Sequence, residues 1–237
     1  TGKRVRALAD RVRADGGDPR FDDDRIVAEN PVDTGRMWRA FARDVGFLAL
    51  PVGAMVLYPV LYGVAALMGD VPASLGLLLG GWLVAIGFAM IAKTAYKYPP
   101  GGADEASVLE VMADPYASPV HGRRVRLDGE LIGKGQAGYR FSADMMFQDD
   151  TGLLYLNYES WLPLLGNLLF AVTEVRDLVG SDVAVEGWFF RGVGSRLGMR
   201  HLWPAGRDGA IDGYVHVAGY IAGAILLVAG VALVTLL

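Results

Sequence analysis

Few residues of this chain could take part in chemistry. Its 237 residues include three histidines and no cysteine, so no thiolate or disulfide can form within them. His121 lies in a Pro-His-Gly turn and His201 follows about eighty residues later, without a third ligand at a spacing typical of zinc sites. His216 falls inside an apolar run, where ionisable residues often serve a function. We therefore expect no metal site, and His216 is the histidine most worth mutating.

Three carboxylates, Asp144, Asp149 and Asp150, are the other candidates for binding a cation. Calcium takes roughly six to eight oxygen ligands, and no EF-hand-type loop supplies them here. Thr151 and Gly152 follow the two adjacent aspartates, which is the composition of a hairpin turn. We interpret this cluster as a turn, so the sequence predicts no catalytic, cofactor-binding or metal-binding residue.

Three apolar runs dominate the hydropathy profile, over residues 46–68, 73–92 and 215–237. Each is near the roughly 20 residues that a helix needs to cross a bilayer. Residues 69–72 leave room only for a hairpin turn, so the first two spans must be antiparallel neighbours. The sequence predicts an integral membrane protein with three spanning helices.

The distribution of cations predicts the orientation of these spans. Positive side chains flank the first two runs on one side: Arg36, Arg39 and Arg43 before the first, and Lys93 and Lys97 after the second. The hairpin tip between them carries only Asp70. By the positive-inside rule, the N-terminus and the polar block are cytoplasmic, and the C-terminus lies outside a plasma membrane.

Glycine pairs in the spans predict where helices pack. Gly76 and Gly80 in the second span, and Gly219 and Gly223 in the third, each form a small-xxx-small pair. Such pairs allow two backbones to approach closely, although glycine is also common in membrane helices for other reasons.

The polar block has the pattern of a small all-β domain. Alternating apolar residues predict strands over residues 123–135, 145–148, 153–158, 183–189 and 197–203, with a helix over residues 161–175 and another over residues 103–113. The order of these elements, three strands followed by a helix and two more strands, is that of an OB-like five-stranded barrel. Gly129, Gly133 and Gly187 fit the bends and bulges that close a small barrel.

The resulting division of the chain has four parts. Residues 1–45 form a cytoplasmic amphipathic helix and linker, residues 46–98 a transmembrane hairpin, residues 99–205 the barrel and residues 206–237 the last span. The chain opens on threonine rather than methionine, and one interpretation is that it is a piece of something longer.

Nucleic acid is an unfavourable partner for the barrel. A basic and aromatic surface could be drawn from Arg123, Arg124, Arg126, Trp188, Phe190 and Arg191. Residues 101–205, however, contain nine Lys and Arg against fourteen Asp and Glu, a balance of −5, whereas phosphate binding requires a positive field. We expect a solvated strand face.

The segment over residues 161–172 is too apolar for a surface helix and too short to span. It either fills the barrel or lies in the membrane interface. For the second alternative, the candidates for contact with lipid or a partner are Trp161, Leu164, Leu165, Leu168 and Phe170.

Two stretches carry a family resemblance: DPYASPVHGRRVRLDGELIGKGQAGYRFSADMMFQDDTGLLYLNY, and GNLLF followed by GSDVAVEGWFFRG. They resemble the region that follows the protease domain in archaeal HtpX-like membrane zinc metallopeptidases. The opening TGKRVRAL resembles the end of that protease domain. The His-Glu-x-x-His zinc helix of such peptidases is absent from this sequence, so no active-site residue can be carried over.

The resemblance implies a non-catalytic accessory region in membrane-protein quality control, which positions a substrate or partner at the membrane. Zinc would then belong to the parent peptidase domain. The alternative is a stand-alone, NfeD-like scaffold that binds other membrane proteins. In both cases the expected partners are membrane lipid, other membrane proteins or the protease domain, and a second copy of the chain.

Overall fold

The computed structural model describes residues 33–72, 74–135, 142–162 and 165–236. The chain divides into two compact units, residues 1–38 and 39–237, and only residues 33–38 of the first are described. The amphipathic helix predicted within residues 1–45 therefore lies outside the described residues. The β-barrel and nearly all of the long helices belong to the second unit.

Among the described residues, three helices are long and apolar enough to cross a membrane: α1 (Thr34–Met68), α2 (Leu75–Lys97) and α6 (Val217–Leu236). Helix α1 begins well before the predicted boundary at Gly46. The Asp33 carboxylate accepts the backbone N–H of Arg36 at 3.0 Å and caps the helix start. Charged residues before position 46 oppose burial in lipid, but they do not oppose helix formation. The hydropathy profile therefore located the apolar part of α1 and missed its polar first turns.

Helices α1 and α2 form the predicted hairpin, and aromatic side chains join them. The Tyr58 hydroxyl donates to the Leu77 carbonyl at 2.7 Å. The Trp82 indole donates to the Met55 carbonyl at 2.8 Å. Pro59 has no N–H to offer that carbonyl four residues earlier, so Trp82 satisfies the acceptor that the proline leaves free.

The described part of the polar block contains seven strands and three short helices. In chain order they are β1 (Asp104–Glu105), α3 (Val108–Ala113), β2 (Arg123–Lys134), β3 (Met145–Gln148), β4 (Leu153–Asn157), α4 (Leu165–Thr173), α5 (Val175–Leu178), β5 (Asp182–Phe190), β6 (Arg196–Pro204) and β7 (Ile211–Asp212).

Five of these strands close into a barrel in the order β2-β3-β4-β6-β5, and β5 pairs back to β2. All barrel pairs are antiparallel except β4 with β6. The predicted five-stranded barrel is confirmed. The helix predicted between its third and fourth strands is present as two pieces, α4 and α5.

Glycines bend the barrel strands where the prediction required it. The register shifts between Leu131 and Gly133 in the β2–β3 pair, and between Glu186 and Gly187 in the β5–β6 pair. At Gly129 a Cβ would collide with the Gln148 carbonyl oxygen, and at Gly187 with that of Gly198. Strong coiling brings the backbones this close, so only glycine fits.

The barrel core is filled by inward-facing side chains of all five strands. Among the fully buried residues are Leu127, Leu131, Met145, Phe147, Leu154, Leu156, Phe189, Leu197, Met199 and Leu202. Helix α4 contributes Phe170 and Ala171 to the same core, and α5 contributes Val175 and Leu178. These two helices therefore close one part of the barrel.

Two short strands differ from the prediction. Residues 103–113 were expected to be helical throughout, but Asp104 and Glu105 pair in parallel with Val125 and Arg126 before α3 begins. Ser107 then starts α3 through a capping box with Glu110. Beyond the predicted end of the barrel at residue 205, β7 pairs with β6 through His201 and Leu202.

Candidate functional site at the junction of barrel and helices

Polar side chains join the barrel to the helices α1 and α2. Asp44 of α1 is only 6% exposed, and its carboxylate accepts hydrogen bonds from the Tyr96 and Ser118 hydroxyls. The Arg43 guanidinium donates to the Tyr96 hydroxyl at 2.8 Å. The His121 ring nitrogen Nδ1 lies 2.7 Å from the Tyr96 carbonyl oxygen. We name these five residues the polar junction: Arg43, Asp44, Tyr96, Ser118 and His121.

The polar junction contains a serine, a histidine and an aspartate, but not in a catalytic arrangement. The Ser118 hydroxyl donates a hydrogen bond to Asp44 and accepts hydrogen bonds from the backbone N–H groups of Val120 and His121, at 2.9 and 2.8 Å. The His121 ring bonds a carbonyl rather than the serine. A nucleophile needs a base within hydrogen-bond reach of its proton. Ser118 therefore holds elements together.

Aromatic side chains form a second link, beside the first. Trp188 and Phe190 of β5 are each 3% exposed and pack against Val215 and Tyr98. Their rings meet the Tyr98 ring edge-on at 5.1 and 5.7 Å. The Trp188 indole donates to the Pro99 carbonyl at 2.9 Å. We name Tyr98, Trp188, Phe190 and Val215 the aromatic junction, which fastens the barrel to the ends of α2 and α6.

Burial, then the Glu159 carboxylate, raises the pKa of Tyr98 to about 12. Its hydroxyl therefore remains neutral at physiological pH. Burial also raises the pKa of Glu159, although the Lys97 ammonium partly opposes this effect. Tyr98 of the aromatic junction and the neighbouring Glu159 are therefore two groups with raised pKa values close to the start of α6.

His216 immediately precedes α6 rather than lying within it. Its Nε2 is 2.9 Å from the Arg200 guanidinium, and its ring lies 5.2 Å from that of Trp188. Burial, then the charge of Arg200, lowers the pKa of His216 to about 4. The ring is therefore neutral and accepts a hydrogen bond from Arg200 at Nε2, while its buried Nδ1 makes no hydrogen bond.

Most of the basic and aromatic residues considered for nucleic acid make contacts within the fold, whereas Arg126 is exposed on the barrel beside Trp203. Arg124 forms an ion pair with Glu186, and Arg123 lies 3.4 Å from the carboxylate of Asp114. The Arg191 guanidinium donates to the Asp114 carbonyl. Trp188 and Phe190 are buried in the aromatic junction, so no stacking platform is exposed there.

The aspartates considered for a cation instead accept protein hydrogen bonds. Asp149 accepts the backbone N–H groups of Val108, Thr151 and Gly152 at 2.7 to 2.8 Å. Burial opposes ionisation of Asp149, but these donors and the Thr151 hydroxyl lower its pKa overall. Asp144 accepts from Tyr155, Asn157 and the backbone of Tyr158. Within the described ranges, no group of three or more His, Cys, Asp or Glu residues is placed to hold a metal ion.

The segment considered for lipid or partner contact has two faces. Six apolar side chains are between 44% and 69% exposed, and we name them the apolar surface: Trp161, Leu162, Leu165, Leu168, Leu169 and Val172. Phe170 points the other way, because it is 6% exposed and stacks on Tyr158 at 3.9 Å. Phe170 is therefore a core residue and is not exposed to lipid or partner. Leu164 lies outside the described residues.

The apolar surface adjoins the base of α6. The rings of Trp161 and Tyr214 meet edge-on at 5.9 Å. A groove of about 280 Å³ runs from Trp161 along Val217, Ile221 and Ile225 of α6. The apolar surface therefore lies at the level of the first turns of that helix.

The predicted glycines lie between α2 and α6. A Cβ added at Gly80 would be 2.6 Å from the Gly230 carbonyl oxygen, and one at Gly223 would be 2.9 Å from that of Gly87. At Gly219 a Cβ would collide with Thr94. Gly76 is also buried. On α2, the positions that contact α6 recur every seven residues, at Gly80, Gly87 and Thr94. The four-residue glycine pairs predicted from the sequence do not show this spacing.

Known proteins offer little comparison. No protein-family model matches the sequence, and no curated protein matches it. Among solved structures, the chain is similar to the hypothetical protein ygiW from E. coli, with 10% sequence identity and a TM-score of 0.29, over 45% of this chain and 100% of that one. This similarity is too weak to carry an argument about fold or function.

Proposed function

We propose that this chain is a non-catalytic, membrane-anchored module that positions substrate or partner proteins at the cytoplasmic surface of the cell membrane. The observation that carries this proposal is the double junction between barrel and helices. A flexible tether would need only the Pro-Pro-Gly-Gly linker after α2. Here a buried carboxylate and a buried tryptophan fix the barrel's orientation as well.

The proposal includes an OB-type barrel and an integral membrane location. The strand order and the parallel β4–β6 pair agree with an OB-type barrel. Arginines and lysines near the barrel ends of α1 and α2 favour a cytoplasmic barrel, with the hairpin tip and C-terminus outside. The apolar surface would then enter the cytoplasmic interface of the bilayer.

The family resemblance suggests one setting for this module. As the accessory region of an HtpX-like membrane zinc metallopeptidase, it would hold substrates near a protease domain that carries the zinc. The stand-alone NfeD-like scaffold is the alternative, and the absence of catalytic geometry at Ser118 fits both settings.

Helix α1 is the element best placed to bind a partner. Large apolar side chains along it are more than half exposed, including Val52, Val56, Val60 and Leu61. Lipid alone could cover these side chains of α1. A second copy of the chain, another membrane protein or the protease domain could also pack against them.

Purification of the intact protein from its native membrane tests the two settings. An HtpX-like parent predicts a mass well above 25.4 kDa and one zinc ion per chain by elemental analysis. A scaffold predicts a mass near that of this chain and co-purification with other membrane proteins. A lone protein without zinc or partner would contradict both.

A further inference from the structure

A cavity of about 280 Å³ lies between the three long helices at their barrel ends. Its walls are mainly apolar and come from all three helices, with Pro51 of α1, Met90 of α2 and Gly219 of α6 among them. Thr94 and Tyr98 also line it. Small-molecule sites begin at roughly 300 Å³, so the cavity suits a compact group rather than a bulky one.

Two ammonium groups also line this mainly apolar cavity. Lys93 and Lys97 are both partly buried, one helical turn apart on α2. In the described part of the chain, no carboxylate lies within 4.0 Å of either ammonium. Lys97 instead lies over the rings of Tyr98 and Phe190, at 4.9 and 5.7 Å.

A third cation strengthens the positive field. The Arg196 guanidinium lies 5.7 Å from the same Phe190 ring that Lys97 approaches. Glu159 is the acidic group close enough to influence Lys97, and its charge opposes the field only in part. Partly buried charges without an ion pair are costly unless a ligand compensates them.

We infer that this cavity binds the anionic headgroup of a phospholipid from the cytoplasmic leaflet. Basic pockets between membrane helices at this level are suited to such headgroups. Lys93 and Lys97 would contact the phosphate, and the apolar walls between α1 and α6 would cover the upper part of the acyl chains. The inference rests on the membrane insertion proposed above and adds a ligand to it.

Native mass spectrometry of the whole chain, released from nanodiscs, tests the inference. One set of nanodiscs contains phosphatidylcholine alone and the other phosphatidylcholine with phosphatidylglycerol of the same acyl chains. We expect one retained phosphatidylglycerol per chain. The double variant Lys93→Gln/Lys97→Gln should weaken retention about 25-fold, because each lysine contributes about fivefold, or about 1 kcal/mol.

The matched control is Arg126→Gln, which removes an exposed cation of the barrel beside Trp203. It should retain the lipid as the wild type does. Equal retention by the double variant and the control would overturn the inference. So would binding of free glycerol phosphate as tight as that of the lipid, since the cavity would then be an anion site without a role for the acyl chains. Failure to enter nanodiscs at all would instead contradict the proposed membrane insertion.

Discussion

At the scale of single residues, Asp44 is the central acceptor of the polar junction between the barrel and the helices. Its carboxylate is the common acceptor for two hydroxyl groups that belong to separate segments of the chain. Removing it deprives two partly buried hydroxyls of that acceptor, and leaving a buried polar group unsatisfied costs about 1–3 kcal/mol.

We predict that Asp44→Ala lowers the free energy of unfolding by about 2–4 kcal/mol, measured by thermal or denaturant unfolding in detergent. Asp70→Ala is the matched control, because Asp70 is exposed at the hairpin tip. A loss no larger than that of Asp70→Ala would show that the polar junction does not hold the two parts together.

His216 predicts a pH dependence of stability. Its pKa is about 4 in the folded protein and about 6.5 in an unfolded chain, so the unfolded state binds more protons between these values. The contribution of His216 is complete above pH 6.5 and is lost as the pH falls towards 4. The charged groups that face it, Arg200, Arg124 and His201, act in the same direction.

The test compares the melting temperature of the wild type with that of His216→Gln, whose amide oxygen can still accept from Arg200. Between pH 7 and pH 5 the wild type should lose more stability than the variant. The comparison cancels the opposing effect of Glu159, whose raised pKa favours the folded state in acid. Parallel pH profiles would contradict the assignment.

At the scale of elements, α2 and α6 pack through backbone contact. An alanine at Gly80 would bring its methyl group to 2.6 Å from the Gly230 carbonyl oxygen, so the helices must separate. We predict a loss of about 1–3 kcal/mol for Gly80→Ala in denaturant titrations in detergent micelles. Gly63→Ala on α1 meets no atom within 4 Å and should be neutral within about 0.5 kcal/mol. Equal effects would show that α2 and α6 do not depend on close contact.

Helix α4 provides a second prediction at this scale. A spin label on Leu165→Cys should show high accessibility to oxygen and low accessibility to a water-soluble relaxation agent in reconstituted vesicles. The same label on Val193→Cys, in the fully exposed β5–β6 loop, should show the opposite. An aqueous profile at both positions would exclude insertion of the apolar surface into the bilayer. The absence of native cysteine makes both labels specific.

The elements could be predicted from the sequence because their signals are local. The alternation of apolar and polar residues identified the barrel strands, and the hydropathy profile identified the long helices. The Asp149-Asp150-Thr151-Gly152 stretch identified the hairpin turn between β3 and β4. The segment after Tyr158 remained open between barrel core and membrane interface because its apolar residues face both ways: Phe170 inward, and Leu165 and Leu168 outward. Composition alone does not separate two apolar faces of one helix.

The junctions could not be predicted, because they join residues far apart in the chain. Asp44 and Ser118 are 74 residues apart, and Trp188 and Pro99 are 89 apart. Basic and aromatic residues such as Arg124, Trp188 and Phe190 are the residue types expected on a nucleic-acid-binding surface. Only the fold shows that Trp188 and Phe190 are buried against the helices. The one local sign of the aromatic junction in the sequence was the pair of aromatic residues, Trp188 and Phe190, at the end of strand β5.

At the largest scale, the unit over residues 39–237 has its barrel packed at one end of α2 and the hairpin tip at the other end of that helix. The positively charged flanks predict that the barrel end is cytoplasmic. Two junctions hold the barrel against the ends of the long helices, which is what the proposed positioning module requires.

Labelling of single cysteines in intact cells tests this central claim most directly. With a membrane-impermeant maleimide, Asp70→Cys at the exposed hairpin tip should react in intact cells. Val193→Cys on the barrel should react only after the membrane is permeabilised. Reaction of Val193→Cys in intact cells, or protection of Asp70→Cys, would contradict a barrel anchored on the cytoplasmic face.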